Sequence, residues 1–323
     1  MSVLIFTSGG DAPGMNAAFR AVTRSVLNNK NKVYSCQEGF KGVIYGDYTE
    51  LNLRSVANII HRGGTVIKTS RCDEFRTSEG RKKAYEQMQK KKITTLVGLG
   101  GDGTIKGLEV FNAEYPDVQV LGLPCTIDND YECSENTIGF ATAVETAVEA
   151  IDKIRDTASS HQRTFVVEVM GRKSTQLAYA VAIAAGAEFV VDPSKEESLR
   201  NCVQRVKESI EKGKLSSLIV TLENEGLEST AAADVKKALS KELSIDCKSL
   251  VLGHIQRGGS PLALDRLLAS RMGFVASQAV FEQKDSGVVV QMDNRVSFVP
   301  FDQLKVVSKS SDFDKSLLKT LAN

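Results

Sequence analysis

Short runs of β-branched and aliphatic residues alternate along this chain with longer stretches in which apolar positions recur every three to four residues. The short runs predict strands at 3–7, 33–36, 94–98, 118–123, 164–169, 189–191, 217–222, 248–252 and 287–291. The longer stretches predict helices, among them 16–27, 81–91, 140–155, 198–212 and 264–282. Alternation of this kind places the chain in the α/β class, with mostly parallel sheets covered by helices. No internal repeat and no Pro/Gly-rich linker interrupts the pattern, so any second domain is entered and left by more than one crossing.

Ligands of open α/β sheets collect at the carboxyl ends of the strands. The unusual clusters of this chain fall at such ends: TSGGDAPG after 3–7, GLGGDGT after 94–97, PCTIDND after 118–123, EVMGR after 164–167, TLE after 217–220 and GHIQRGGSP after 248–252. A single glycine turn would mean little, but one fold rule aims all of these clusters at one cleft.

Composition changes this picture mainly by exclusion. At 323 residues the chain is long enough for two domains sharing a site. Lys+Arg 41 against Asp+Glu 40 leaves a net charge of +1, which gives no reason to expect nucleic acid or an anionic membrane as partner. The six cysteines (Cys36, Cys72, Cys125, Cys133, Cys202 and Cys247) are scattered, without a C-x-x-C pair, and predict a reducing compartment. VLIF runs straight into TSGGDAPG without a basic region or cleavage site, and the apolar stretch 178–191 contains Glu188, so the expectation is a cytoplasmic protein.

Gly9 to Gly14 lead from a strand into a helix, where free backbone N–H groups hold phosphate or simply make a tight turn. A P-loop is excluded, because Met15-Asn16 stand where Lys-Ser/Thr is required. Gly98-Leu99-Gly100-Gly101-Asp102-Gly103 matches the dinucleotide spacing, but an acid in a phosphate cradle repels unless a divalent cation intervenes. A nucleoside triphosphate with Mg²⁺ fits better, and the GGDGT string is also similar to that of lipid and NAD kinases. On an extended backbone Thr126, Asp128 and Asp130 would share one face, about 6.6 Å apart per pair. One carboxylate there can deprotonate an acceptor hydroxyl while a neighbour helps hold a cation; the alternative is a solvated Asx turn. Arg71, Arg76, Arg163, Arg172, His254 and Arg257 lie at turns, where arginine forks match phosphate or pair with surface carboxylates. No G-x-S-x-G elbow supports a Ser-His-Asp hydrolase.

Taken together, TSGGDAPGMNAA, GGT…R, GGDGT, GLPxTIDND, TIGFATA, SSHQR, VEVMGR and VLGHIQRGGSP resemble the ATP-dependent 6-phosphofructokinases of compact bacterial type, in order from about residue 3 to 273. The resemblance implies two Rossmann-like three-layer α/β/α domains with the active site in the cleft between them. Their extents would be 1–139 with about 256–306 for ATP–Mg²⁺, and 140–255 with about 307–323 for the sugar phosphate. It implies transfer of the ATP γ-phosphoryl to the 1-hydroxyl of fructose 6-phosphate in glycolysis. On the ATP side it places Gly10, Arg71, Cys72, Arg76, Gly101, Asp102, Gly103 and Thr104, with Asp102 the metal-associated acid. Asp128 falls on the base, Thr126 and Arg172 on contacts to the moving phosphoryl, and Asp130 on a supporting carboxylate. Met170, Gly171, Glu223, His254 and Arg257 fall on own-chain sugar-phosphate contacts. Arg163 and Lys248 fall on positions that reach a neighbouring subunit's 6-phosphate, so the resemblance implies a homo-oligomer, a homotetramer in this family.

Several positions depart from the pattern. Lys248 stands where the family has arginine, which keeps the charge and loses the fork. Cys72 replaces a frequent aromatic beside the adenine. At the family's effector pocket Arg20, Arg24, Arg155, Glu188, Lys212 and Lys214 match, whereas Leu53, Asn58 and Ser216 do not. The nearest rival is the pyrophosphate-dependent group, which has aspartate at Gly103 and lysine at Cys125; both residues here favour ATP. A rival of another class is a silent subunit that binds sugar phosphate and senses nucleotide, and it would be expected to lack Asp102, Asp128 or Arg172.

Overall fold

The computed structural model describes residues 1–224, 229–307, 309 and 311–322. Each predicted strand is present with its ends moved by at most two residues, and the class is α/β. The chain divides into two units, Met1–Thr142 with Arg257–Ser308 and Ala143–Gln256 with Lys309–Asn323.

The first unit opens with β1 (Ser2–Thr7), α1 (Met15–Asn28), β2 (Lys32–Cys36), α2 (Phe40–Tyr45), β3 (Tyr48–Glu50) and α3 (Ser78–Lys90). It continues through β4 (Thr95–Gly100), α4 (Asp102–Glu114) and β5 (Gln119–Pro124) to the start of α5 (Phe140–His161). Then come the elements of the second unit: β6 (Thr164–Val169), α6 (Gln176–Ala184), β7 (Phe189–Val191), α7 (Glu196–Glu211), β8 (Leu218–Leu222), α8 (Ala231–Leu243) and β9 (Cys247–Val251). The chain returns to the first unit with α9 (Ala263–Phe281), β10 (Gly287–Met292) and β11 (Arg295–Pro300), and α10 (Ser311–Leu321) belongs to the second.

The first unit's sheet has the order β11-β10-β5-β4-β1-β2-β3, parallel except for the two edge strands. The second sheet, β7-β8-β6-β9, is parallel throughout. β4 is buried at every position, as a strand covered on both faces should be, which is why its sequence reads as a continuous apolar and glycine run. The edge strands β3 and β11 were not predicted. β3 is three residues long and mostly exposed, and β11 is reached through Asp293-Asn294, both at positive φ in a two-residue hairpin turn. α5 also runs six residues beyond its predicted end at 155, with Asp156 and Thr157 exposed; apolar periodicity loses a helix where it no longer packs.

An aromatic ladder positions the first unit's loops. Phe40 lies 4.6 Å from Phe6 and 3.9 Å from Phe75, and Phe75 stacks on Phe111 at 5.9 Å. Burying Phe75 contributes about 1.5–3 kcal/mol and anchors the short turn that carries Arg71, Cys72 and Arg76. Arg81 completes the anchor: its guanidinium donates to the carbonyls of Phe75 (3.1 Å) and Arg76 (2.7 Å) and forks onto Glu114 at 2.8 and 2.6 Å.

Candidate active site

At the carboxyl end of β1, Gly9 (φ 81°) and Gly14 (φ 108°) bracket a loop that only glycine enters without strain at those points. Asn16, in the first turn of α1, explains why no P-loop lysine or serine belongs there. Its Nδ2 donates to the carbonyls of Arg62, Gly63 and Gly64 (3.0, 3.2 and 3.1 Å), and its Oδ1 accepts Val66 N–H at 2.8 Å. That buried amide fastens the 62–66 loop beside the glycine turn. Gly10 is exposed, and a Cβ on it would stand 2.5 Å from Nη1 of Arg257, which donates to Asp11 O at 3.2 Å. Arg257, read from the sequence as a sugar-phosphate contact, thus lies under the turn that carries the nucleotide candidate Gly10.

The second cradle follows β4. A Cβ on Gly100 would meet Thr104 Oγ1 at 2.4 Å and Ser8 O at 2.5 Å, so the two glycine loops approach too closely for any side chain there. Gly101 precedes α4, and a helix start leaves N–H groups outside the helical ladder, where an anion can meet them. Gly103 is different: a Cβ would meet nothing within 4 Å. Its lack of a side chain answers to open space beside the cradle rather than to packing. Asp102 opens α4 and pairs with Lys106 at 2.6 Å, a contact that raises the lysine's pKa. Arg71 and Arg76 are exposed, Arg76 standing 3.6 Å from Asp73, and Cys72 is half-buried.

After β5 the chain carries Thr126 and Asp128 into the interior, 7% and 3% exposed. The extended stretch expected from the sequence is not formed. β5 ends at Pro124, Asp128 N–H bends back to Thr126 Oγ1 (3.2 Å), and Asn129 sits at φ 47°, so Thr126, Asp128 and Asp130 do not share a strand face. The turn is closed by the Thr126 hydroxyl and Asp128 is buried, where the alternative reading expected a solvated Asx turn. Thr126 Cβ would lie 3.5 Å from a Cβ on Gly101, which sets this loop against the second cradle. Asp130 is half-buried, and its Oδ1 makes no hydrogen bond among the described residues. Cys125 is fully buried, its thiol pushed well above the ordinary range by desolvation, its N–H bonded to Gly100 O at 2.9 Å. An uncharged thiol without water access is neither nucleophile nor phosphate ligand.

No group of three or more His, Cys, Asp or Glu is placed to cage a metal among the described residues. Mg²⁺ is usually held by one or two carboxylates with phosphate oxygens and water rather than by an all-protein shell. Asp102 and the unpartnered oxygen of Asp130 are suitable donors.

The second unit carries the other candidates. After β6, Gly171 (φ 138°) and Arg172 (φ 52°) turn sharply. Glu223 Oε1 accepts both their N–H groups (3.3 and 2.9 Å), and Met170 N–H donates to Oε1 of the fully buried Gln256 at 2.9 Å. Glu223, predicted as a sugar contact, therefore also shapes the turn that presents the exposed Arg172. Asp246 joins two other candidates, at 2.7 Å from Arg163 Nε and 3.0 Å from Lys248 Nζ; both contacts, Lys248's foremost, hold its carboxyl below the usual range. His254 is exposed in the short 3-10 helix that ends at Arg257.

Of the predicted effector residues, Glu188 is buried, with Oε2 accepting Leu218 N–H (2.6 Å) and Oε1 paired with Lys214 (2.8 Å). Arg155 donates to the carbonyls of Ala185 and Gly186, and Lys212 is exposed at the end of α7. Arg20 and Arg24 stand half-buried on α1 of the first unit. Residues given no role in the sequence reading are Asn16, Thr137, Gln256, Asp246 and Asp265; the last carried a local signal, an acid in the first turn of a helix after Ser-Pro.

Residues 2–280 match the family described as Phosphofructokinase. The chain is 45% identical over 312 residues to an ATP-dependent 6-phosphofructokinase of Clostridioides difficile, which covers 96% of this chain and 95% of that relative. It is 41% identical over 327 residues to the enzyme of the same name from Halothermothrix orenii, covering 99% and 97%. Among solved structures, phosphofructokinase from Saccharomyces cerevisiae aligns over 99% of this chain with a TM-score of 0.86 and 33% identity, and this chain spans 48% of the yeast one. A pyrophosphate-dependent phosphofructokinase from Nitrosospira multiformis, at a TM-score of 0.84 and 18% identity over 100% of this chain and 92% of its own, shares the fold. With such identity running almost end to end, the chain belongs to the phosphofructokinase family.

Proposed function

We propose that this chain transfers the γ-phosphoryl group of ATP to the 1-hydroxyl of fructose 6-phosphate, giving fructose 1,6-bisphosphate and ADP, the glycolytic reaction. The observation that carries the reading is Asp128: a carboxylate 3% exposed, on a loop that packs against a glycine cradle. Relatives named ATP-dependent 6-phosphofructokinase at 41–45% identity support it.

In this reading the cradles Gly9–Gly10 and Gly100–Thr104 hold the nucleotide phosphates with backbone N–H groups, and Arg71, Cys72 and Arg76 line the nucleotide side. Asp128 takes the proton of the sugar 1-hydroxyl as its oxygen attacks phosphorus, and the proton stays on the carboxyl until product leaves. Thr126 and Arg172 donate to the oxygens of the transferring group, whose charge spreads as it moves. Asp102 would hold Mg²⁺, with Asp130 as a supporting carboxylate, and the ion would supply positive charge to neutralise the donor phosphates. Met170, Gly171, Glu223, His254 and Arg257 orient the sugar phosphate, Arg257 from beneath the Gly10 turn. Arg163 and Lys248 serve the 6-phosphate bound to a neighbouring subunit, which makes a homo-oligomer the working assembly, a homotetramer on the family's pattern. Arg20, Arg24, Arg155, Glu188, Lys212 and Lys214 form the effector set, with Glu188 and Lys214 already paired. Among the described residues no helix is long and apolar enough to cross a membrane.

Assaying the purified protein with ATP and with pyrophosphate tests the donor. Turnover with ATP and Mg²⁺ is expected; turnover with pyrophosphate alone would overturn the reading. The open space at Gly103 favours the nucleotide, since the next phosphate of the donor needs room where an acidic side chain would stand.

A further inference from the structure

Asp265 takes no part in the chemistry above, yet it is 1% exposed and fully engaged. It stands in the first turn of α9 and aims both oxygens at the start of α5. Oδ1 accepts Gly139 N–H at 2.8 Å, while Oδ2 accepts Thr142 N–H at 2.8 Å and the Thr142 hydroxyl at 2.5 Å. Thr142 Oγ1 in turn accepts Leu262 N–H at 3.0 Å, just before α9. The carboxylate binds two amides at the start of α5 and itself stands in the first turn of α9, where a negative charge also suits the helix dipole. Burial pushes its pKa up, and the three donors pull against that.

The segment so held, 134–139, is a strap across the base of the candidate site. Thr137 Oγ1 donates to Thr126 O (2.7 Å) and to Asn129 Oδ1 (3.3 Å). Asn129 Nδ2 donates to Glu135 O (3.0 Å), and Ile138 N–H donates to Pro124 O (3.0 Å) beside a bridge to Cys125. Asp128 thus sits in a loop tied on both sides to the strap. The strap also bears on the first glycine turn: a Cβ on Gly14 would stand 2.6 Å from Ile138 Cγ2, and one on Gly139 2.7 Å from Ala12 Cβ. Displacing Gly139 would move the carboxylate loop and the phosphate turn together.

We propose that Asp265 is a positioning residue for phosphoryl transfer, fixing the strap so that the strap fixes Asp128. The proposal rests on the function given above. Asp265→Asn offers one oxygen where the carboxylate offers two, so at least one of the Gly139 and Thr142 N–H groups then faces an amide N–H. We expect kcat to fall by about tenfold to a hundredfold, the usual consequence of misplacing a reacting group by about 1 Å, with KM for ATP and the ADP dissociation constant changed by no more than about twofold. A cooperative thermal transition should be retained. Thr142→Val removes one of the three donors and should lower kcat in the same direction, whereas Thr142→Ser keeps the hydroxyl and should restore it. If Asp265→Asn does not fold, the Val–Ser pair at 142 decides. A folded Asp265→Asn or Thr142→Val enzyme with wild-type kcat overturns the proposal, and so does a fall in kcat matched by an equal loss of ADP affinity. A wild-type enzyme that fails to phosphorylate fructose 6-phosphate would instead overturn the proposed function, and that is measured first.

Discussion

The two units solve the problem of presenting charge in opposite ways. In the first, Asp128 is 3% exposed, its neighbours are bound to the strap, and the glycine turns are held by Asn16 and by contacts that leave no room for a Cβ. In the second, Arg163, Lys248, Arg172 and His254 reach solvent, and the first two share one exposed carboxylate, Asp246. The difference matches what each set must do. A group that moves a proton gains from being preorganised before the reactants arrive, because its reorganisation would otherwise add to the barrier. A group that grips a dianionic phosphate must be reachable and must give up a small, solvent-screened interaction to do so. The buried set should therefore govern kcat, and the exposed Arg163, Lys248 and His254 KM, with the exposed Arg172 acting on the moving phosphoryl and so on kcat.

Breaking the buried side gives the largest effect. Asp128→Ser should lower kcat by about 10²–10⁴, the range expected for loss of a general base, with both substrates still bound. Single-turnover and equilibrium binding measurements separate the two; equal losses in binding and turnover would assign Asp128 to structure instead. The next effect in size tests the cradle. Gly103→Asp should fold normally, because a Cβ there meets nothing within 4 Å and an acid in the first turn of α4 suits the helix dipole. Its carboxylate should nevertheless raise KM for ATP by on the order of tenfold or more through repulsion at close range. An unchanged KM would mean that the donor phosphates lie elsewhere.

How much of this was open to reading beforehand follows from the range of the contacts involved. Central strands such as β4 and β5 announce themselves, since burial on both faces demands an unbroken apolar run. Glycine-rich turns at strand ends are similarly local, and they drew attention to Gly10, Gly101 and Asp128. What stayed hidden depends on partners far along the chain. Arg257 reaches Asp11 across 246 residues, Asp265 reaches Gly139 across 126, and Asn16 reaches the 62–64 carbonyls across 46–48. No pattern within a window of the sequence specifies such pairs. The alternation of Thr126, Asp128 and Asp130 misled for a related reason: it assumed an extended backbone where Asn129 takes a left-handed turn fastened by Thr137.

The exposed side offers smaller and reversible changes. Lys248→Arg should lower KM for fructose 6-phosphate by about threefold to tenfold, the advantage of a fork over a point charge on phosphate, with kcat little changed. An initial-rate series in the sugar phosphate at saturating ATP checks it, and an unmoved KM would remove Lys248 from the phosphate site.

The smallest expected effect, at Asp246, discriminates best between a grip held ready and a grip held shut. Its carboxylate contacts both Lys248 and Arg163, and those contacts hold its pKa below the usual range, which favours its charged form. A phosphate approaching the two cations must then compete with it or share them. Asp246→Asn keeps the shape and removes the charge. Because the pairs are exposed and screened by solvent, the change should leave the denaturant midpoint nearly unmoved. KM for fructose 6-phosphate should fall by roughly twofold to threefold, and the fall should shrink as salt rises, since competition among screened charges weakens with ionic strength. If KM rises instead, Asp246 orients the two cations rather than competing for them, and the exposed side would then be preorganised in the same sense as the buried one.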